Sequence, residues 1–166
     1  MIKNRVEASG LITIDPEAFA EGITVVDFDL SQYLWQGLAL REKDFREAMK
    51  NIRWAKYSES VVALHCSADA IIPIWAWMIP TASLAPYAAL VHHGTPQQAL
   101  EAWVLKRIDE IDPLKYRGAR VVIKGCGNRS FSPAVQIALT VKLRHLSRSI
   151  MFGEPCATVP VYKATL

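Results

Sequence analysis

Cysteine is scarce in this sequence. The 166 residues include three cysteines, Cys66, Cys126 and Cys156, which stand far apart in the chain. An odd number of widely spaced cysteines argues against a disulfide framework and fits a reducing compartment. We therefore expect a cytoplasmic protein whose thiols are free or bind a metal.

Long runs of one charge are missing as well. The 19 basic and 16 acidic residues give a net charge of +3 and are scattered along the chain, so nucleic-acid binding has little support. The start of the chain, MIKNRVEASGLITID, lacks the apolar core of a secretory signal. Hydrophobic residues make up 51% of the sequence, which predicts a packed globular protein, and we expect a single α/β domain over residues 1–166.

Charge is absent from one long segment. No Asp, Glu, Lys or Arg occurs from Ala70 to Leu100. Prolines divide this segment into pieces shorter than the ~20 apolar residues that a membrane span needs. The segment therefore predicts buried secondary structure and no membrane span, with Trp75 and Trp77 in the core.

Short apolar runs alternate with helical patterns from residue 60 onward. Strands are expected over residues 60–66, 88–94, 119–126 and 149–153, and helices over 71–84, from Pro96 to Ile111, and over 132–147. Before them, GITVVDFDL predicts a strand and REKDFREAMKNI predicts a helix. No internal repeat is visible.

This alternation indicates parallel βαβ units with right-handed crossovers and helices on both faces of the sheet. The predicted fold is a three-layer α/β/α sandwich with a mostly parallel sheet. The N-terminal segment adds an edge strand and a helix to it.

All three cysteines follow predicted strands. Cys66 and Cys126 end two strands, and Cys156 lies three residues beyond another. The carboxyl ends of parallel strands share the edge at which open α/β folds bind ligands, so we expect three thiols on one rim. Three thiolates and a fourth group suit zinc, and three thiolates with an open position also suit an iron–sulfur cluster. The fourth ligand could be Asp69, His65, His93 or an exogenous molecule. His65, however, alternates with Cys66 along its strand and is better placed as a core residue or beside the ligands. The alternative for each single cysteine is that of a small buried hydrophobe.

Two features next to Cys66 bear on that site. A helix is expected directly after Cys66, and the positive end of its dipole would favour the thiolate. Asp69 is either the N-cap of this helix or the fourth metal ligand. The cap is the more ordinary role for an aspartate at such a position.

Four further residues are assigned to the surroundings of the metal site. In KGCGN, the glycines allow close approach of a ligand, while side chains beside them donate hydrogen bonds. In GEPCATVP, prolines stiffen an exposed loop around Cys156 and a carboxylate stands beside the thiol. The residues are Lys124, Asn128, Glu154 and, as a weak ligand candidate, His93.

Five segments carry a family resemblance: NRVEASGLITID, LREKDFR, SADAIIPIWAWM, RVVIKGCGN and MFGEPCATVPVYK. Together they resemble the uncharacterised bacterial family labelled domain of unknown function 2480, over nearly the whole chain. The resemblance implies a cytoplasmic protein without an assigned activity. It also implies genes near those for iron–sulfur cluster assembly, so iron–sulfur assembly proteins are the expected partners.

Three functions follow from these observations. The first is a cytoplasmic metal-binding protein, with zinc or an iron–sulfur cluster on the three cysteines, that assists cluster assembly. The second is a thiol-dependent enzyme or persulfide carrier that uses Cys126 or Cys66 as nucleophile. The third is a non-catalytic binding module, a homo-oligomer that associates through the apolar face around Trp75 and Trp77.

Overall fold

The strands of this protein form two separate, mostly parallel sheets. The computed structural model describes residues 11–125, 127–154 and 156–165. The strands are β1 (Leu11–Ile14), β2 (Thr24–Asp29), β3 (Ser60–His65), β4 (Leu90–His93), β5 (Arg120–Ile123), β6 (Ser149–Glu154) and β7 (Ala157–Lys163). The helices are α1 (Glu42–Lys50), α2 (Ile74–Leu84), α3 (Pro96–Asp109) and α4 (Pro133–Arg144).

The sheet orders are β2-β3-β4 and β1-β5-β6-β7. The predicted α/β class with mostly parallel pairing is confirmed, but the strands divide between two sheets where the sequence indicated one. Periodicity identifies a strand without naming its neighbour, which explains the difference.

The chain divides into two compact units, which we call the inserted unit and the split unit. The inserted unit runs from Gly22 to Trp103. The split unit combines the described residues up to Glu21 with those from Val104 onward. The assignment of residues 1–166 to a single domain stays a prediction. Among the described residues, no helix has the length and apolar character required to cross a membrane.

The inserted unit has helices on both faces of its sheet. Val62 and Leu64 of the central strand β3 pack in one cluster with Phe28, Phe45 and other residues, to which α1 and α2 contribute. The alternate positions of β3, Val61 and Ala63, pack against Ala99 of α3. A parallel strand buried on both faces needs the continuous apolar run that β3 provides. Trp75 and Trp77 pack against the first cluster, as predicted.

The split unit ends in a strand that the sequence analysis missed. β7 pairs antiparallel with β6, so most of the segment assigned to an exposed loop is a hairpin strand. Pro160 is tolerated there because β7 is an edge strand, the position in a sheet to which proline is largely confined. The register of the hairpin shifts between Ile150 and Met151, as a β-bulge does.

The two units share an internal repeat with a constant offset of 59 residues. Residues 45–93, which run from α1 to β4, correspond to residues 104–152, which run from α3 to β6. Buried positions coincide in the helices before the central strands and in those after them. The pairs are Phe45 and Val104, Met49 and Ile108, Ala76 and Val135, Pro80 and Leu139, and Leu84 and Leu143.

Local backbone features repeat at the same offset. Gly94 and Gly153 both have positive φ, at 140° and 121°. Thr81 and Thr140 each donate a hydrogen bond of 2.8 Å to the carbonyl four residues earlier. The sequence analysis found no repeat of residue types, and the repeat described here is one of structure. The units share burial and backbone geometry rather than residue identity, and a search for identical letters finds little.

The repeat predicts matched core sensitivities in the two units. Leu84 and Leu143 are both fully buried, so Leu84→Ala and Leu143→Ala should each lower the free energy of unfolding by about 2–5 kcal/mol. Met78→Ala and Ile137→Ala are the controls at another equivalent pair, 63% and 62% exposed, and should cost about 0.5 kcal/mol or less. Urea denaturation measures all four. A similar loss of unfolding free energy at the buried and the exposed positions would contradict the matched burial on which the repeat rests.

Candidate functional site

Two of the cysteines that the sequence placed on one rim follow strands of different sheets. Cys66 follows β3 in the sheet of the inserted unit, whereas Cys156 lies in the turn between β6 and β7 in the sheet of the split unit. The prediction that they share the edge of one sheet is therefore wrong. Cys126 lies outside the described residues. Their assignment as metal ligands stays a prediction.

Within the described part of the chain, no group of three or more His, Cys, Asp or Glu side chains is arranged to hold a metal ion. Cys66 is half-buried, and Cys156 is exposed. The two thiols therefore stand in different environments, and only Cys66 packs against a hydrophobic core.

Asp69 does not cap a helix. Helix α2 begins at Ile74, its N-cap residue is Pro73, and no side chain makes a capping hydrogen bond there. Asp69 is an exposed residue of the segment between β3 and α2. Because α2 begins eight residues after Cys66, the expected effect of a helix dipole on this thiol is also absent.

Cys66 lines a cavity at the carboxyl ends of β3 and β4. The cavity has a volume of about 390 Å³, and its chemically functional lining comes from His65, Cys66, His93, Thr95 and Gln98. The thiol Sγ donates a 3.6 Å hydrogen bond to the carbonyl oxygen of Ala68. A thiol and two imidazoles thus share one cavity, and the sequence analysis had considered both histidines as possible fourth metal ligands.

Each histidine of this cavity has a defined neighbour. The ring of His93 meets the ring of Trp77 edge to face, with centroids 4.8 Å apart. His65 Nε2 contacts Asp27 Oδ1 on the adjacent strand β2. An Asp–His pair of this kind fixes the orientation of the imidazole. The sequence signal for it was Asp27 in VVDFDL, at a position that alternates with the buried Phe28.

Asp29 fastens the loop that follows Cys66 to the end of β2. Its carboxylate accepts hydrogen bonds from the backbone N–H of Ser31 at 2.8 Å, from the backbone N–H of Ser67 at 3.0 Å and from the Ser67 hydroxyl. Burial raises the pKa of Asp29, but these hydrogen bonds from Ser67 and Ser31 outweigh it and hold the pKa well below its usual range. The ionised carboxylate therefore fixes the residue next to Cys66.

The split unit has a counterpart of this arrangement at Asp15. Phe28 lies opposite Leu64, and Ile14 lies opposite Ile123, so Asp29 and Asp15 are the equivalent residues that follow. Asp15 accepts from the backbone N–H of Glu17 at 3.0 Å and pairs with Lys124 at 2.8 Å.

The ion pair between Lys124 and Asp15 shifts the pKa of both groups. The hydrogen bond from Lys124 lowers the pKa of Asp15, and the same bond raises the pKa of Lys124. Lys124 was predicted to tune a metal site, and the structure gives it Asp15 as partner. Of the other residues assigned to that surrounding, Asn128 is exposed in the loop after β5, and Glu154 is the last residue of β6.

Replacing Asp29 by alanine should lower the free energy of unfolding near neutral pH by about 1–2 kcal/mol, because the acceptor for Ser31 and Ser67 is lost. The pKa of Asp29 is depressed in the folded protein. Its contribution is therefore present above the unfolded pKa of about 4 and is lost as the pH falls below it. Urea denaturation at neutral and acidic pH measures the difference in free energy of unfolding between the wild type and Asp29→Ala. This difference should become smaller at acidic pH. Asp69→Ala is the control, and a difference that stays constant with pH would contradict the prediction.

Comparisons with known proteins identify the family of the chain. Searches of the curated proteins and of the solved structures give no match. A family model described as a protein of unknown function, DUF2480, matches residues 1–164. The match agrees with the resemblance seen in the sequence segments. Since it covers nearly the whole chain, the protein belongs to the DUF2480 family.

Proposed function

We propose that the protein carries out thiol chemistry at Cys66. The observation that carries the proposal is the cavity in which the Cys66 thiol lies with His65 and His93. A cysteine acts as a nucleophile when a neighbouring base accepts its proton and when a substrate can reach it. The half-buried Cys66 and the cavity of about 390 Å³ satisfy the second requirement.

His93 is the proposed proton acceptor. It ends β4, the strand that pairs with β3, and Trp77 holds its ring edge to face. Val91, two residues earlier and on the same face of β4, packs against the same core cluster as Cys66. The imidazole of His93 is therefore on the side of the sheet to which the thiol belongs.

The reaction that we propose is sulfur transfer from a small persulfide. The Cys66 thiol gives its proton to His93, and the thiolate attacks the outer sulfur of the donor. A sulfur–sulfur bond forms at Cys66, the sulfur–sulfur bond of the donor breaks, and the donor leaves as a thiolate that takes the proton back from His93. An enzyme that attacks an electrophilic carbon would use the same two residues in the same roles.

Alkylation rates test this proposal. With iodoacetamide at neutral pH and mass-spectrometric mapping, Cys66 should react faster than Cys156, although Cys156 is the more exposed residue. His93→Ala should slow the reaction of Cys66 by about tenfold or more, as loss of a general base does. His92→Ala is the control, because it removes the neighbouring imidazole of β4. Faster reaction of Cys156, or equal rates in the two histidine variants, would contradict the proposal.

A second candidate function is metal or cluster binding, for which the pairing of β5 with β6 is the supporting observation. These strands are adjacent and parallel, and in the sequence Cys126 follows β5 and Cys156 follows β6. Thiolates that follow neighbouring strand ends suit zinc or an iron–sulfur cluster, with Cys66 and Asp69 as the remaining predicted ligands. In this proposal the protein works in the cytoplasm beside iron–sulfur assembly proteins.

Metal analysis of protein purified without oxygen tests the second candidate. Near-stoichiometric zinc, or iron with acid-labile sulfide, is expected in the wild type and should be lost in Cys126→Ser and Cys156→Ser. Cys66→Ser tests whether Cys66 belongs to the metal site. Loss of metal in this variant as well would extend the site to all three cysteines, whereas full metal content would leave Cys66 to the proposed thiol chemistry. Wild-type protein that stays metal-free after reconstitution would exclude this function.

Self-association stays a prediction of the sequence. The exposed apolar side chains differ from those first considered, since Trp75 and Trp77 pack against the core. The exposed positions on and before α2 are Ile71, Ile74 and Met78. Ile74 and Met78 are four residues apart on α2, and with Ile71 they define the surface that a homo-oligomer would use.

A further inference from the structure

The internal repeat places a second cavity in the split unit at the position of the Cys66 cavity. Both cavities lie at the carboxyl end of the central strand and reach the first turns of the next helix. Six lining positions correspond at the offset of 59 residues: His65 and Lys124, Cys66 and Gly125, Ala68 and Gly127, Ala70 and Arg129, Ile72 and Phe131, and Trp77 and Gln136. The volumes are similar, at about 360 and 390 Å³.

The two cavities differ in chemistry. Where the inserted unit has a thiol, an imidazole and an indole, the described lining of the split unit has hydrogen-bond donors on long side chains. These donors belong to Lys124, Asn128, Arg129 and Gln136. Cationic and amide donors of this kind recognise oxyanions by charge-assisted hydrogen bonds.

Two of the acidic residues near this cavity, Asp15 and Glu17, have hydrogen-bond partners. Glu17, which also lines it, accepts a hydrogen bond from the backbone N–H of Arg129. Asp15 pairs with Lys124, and Glu154 also acts electrostatically on that ammonium. One N–H group of the Arg129 guanidinium donates to the carbonyl oxygen of Ala20 at 3.3 Å. The Arg129 guanidinium carries five N–H groups and the Lys124 ammonium three, which is more than the acceptors named here can bind.

Gly127 keeps this arrangement in place. A Cβ atom at this position would overlap the carboxylate of Glu17, so a larger residue would push Glu17 away from the backbone of Arg129. The glycine thus holds the carboxylate against the loop that follows β5. One carboxylate oxygen of Glu17 is thereby bonded within the protein, while Glu17 remains part of the cavity lining.

We infer that the cavity of the split unit binds the oxyanion group of a small molecule, a carboxylate or a phosphate. Arg129 and Lys124 contact the anion, and Gln136 and Asn128 supply neutral donors around it. The site does not depend on the proposed chemistry of Cys66, which belongs to the inserted unit. The cavity volume of about 360 Å³ limits the ligand to a small molecule, and the carboxylates of Glu17 and Glu154 disfavour one of high negative charge.

Titration with inorganic phosphate and with succinate at constant ionic strength tests this inference, followed by NMR or calorimetry. Saturable binding is expected, and Arg129→Gln should weaken it by about tenfold or more, as the loss of a charged hydrogen bond does. Lys124→Gln should weaken it similarly. Lys124→Gln removes the ion-pair partner of Asp15, so circular dichroism is used to check that this variant folds. If Lys124→Gln does not fold, Arg129→Gln alone decides the test.

Lys115→Gln is the matched control. It removes one positive charge from the same unit at an exposed residue outside the cavity, and it should leave binding unchanged. Cys66→Ser should leave binding unchanged as well, which separates this inference from the proposed function. Preference for phosphate or for succinate identifies the source of the oxyanion. Equal weakening in Arg129→Gln and Lys115→Gln, or no saturable binding of either anion, would overturn the inference.

Discussion

Burial of the central strand on both faces is the constraint on which each unit depends. In the inserted unit, β3 presents alternate side chains to two clusters, and neither helix layer has a core without it. In the split unit, the apolar residues of β5 are equally buried. A strand with no exposed face ends where its polar residues begin, and the two cavities described above lie at that point.

Two aspartates, one at the end of β2 and one directly after β1, fix the loops at the carboxyl ends of the central strands. Asp29 and Asp15 each accept a backbone hydrogen bond two residues on, and each is bonded to a group at the end of the central strand. The partner is Ser67 in one unit and Lys124 in the other. The same backbone position thereby supports a thiol cavity in the inserted unit and a cationic cavity in the split unit.

Local patterns predicted the elements of this fold well. The strands β2 to β6 and all four helices were expected close to their observed bounds, because apolar periodicity and first-turn prolines are local signals. Two strands were missed for local reasons too. β1 has only four residues, and the proline within β7 is typical of a loop unless the strand lies at a sheet edge.

The candidate site was predicted in part. Cys66 was correctly placed at the end of a strand, but its cavity partners His65 and His93 come from two strands and were assigned minor roles. The role of Asp29 depends on its register opposite His65, which no spacing in the sequence reveals. The sequence analysis predicted Cys66 and Cys156 on one rim only because it placed all the predicted strands in one sheet.

The sequence by itself determined the class of the protein, namely alternating strands and helices with a mostly parallel pairing of the strands. Those properties follow from side-chain periodicity and chain connectivity, which are local. Tertiary structure decided which strands pair, how they divide between two sheets, and that two dissimilar stretches adopt one repeated form. Hydrogen bonding between strands and packing between layers depend on residues distant in the chain, and apolar side chains of different identity satisfy the same buried position.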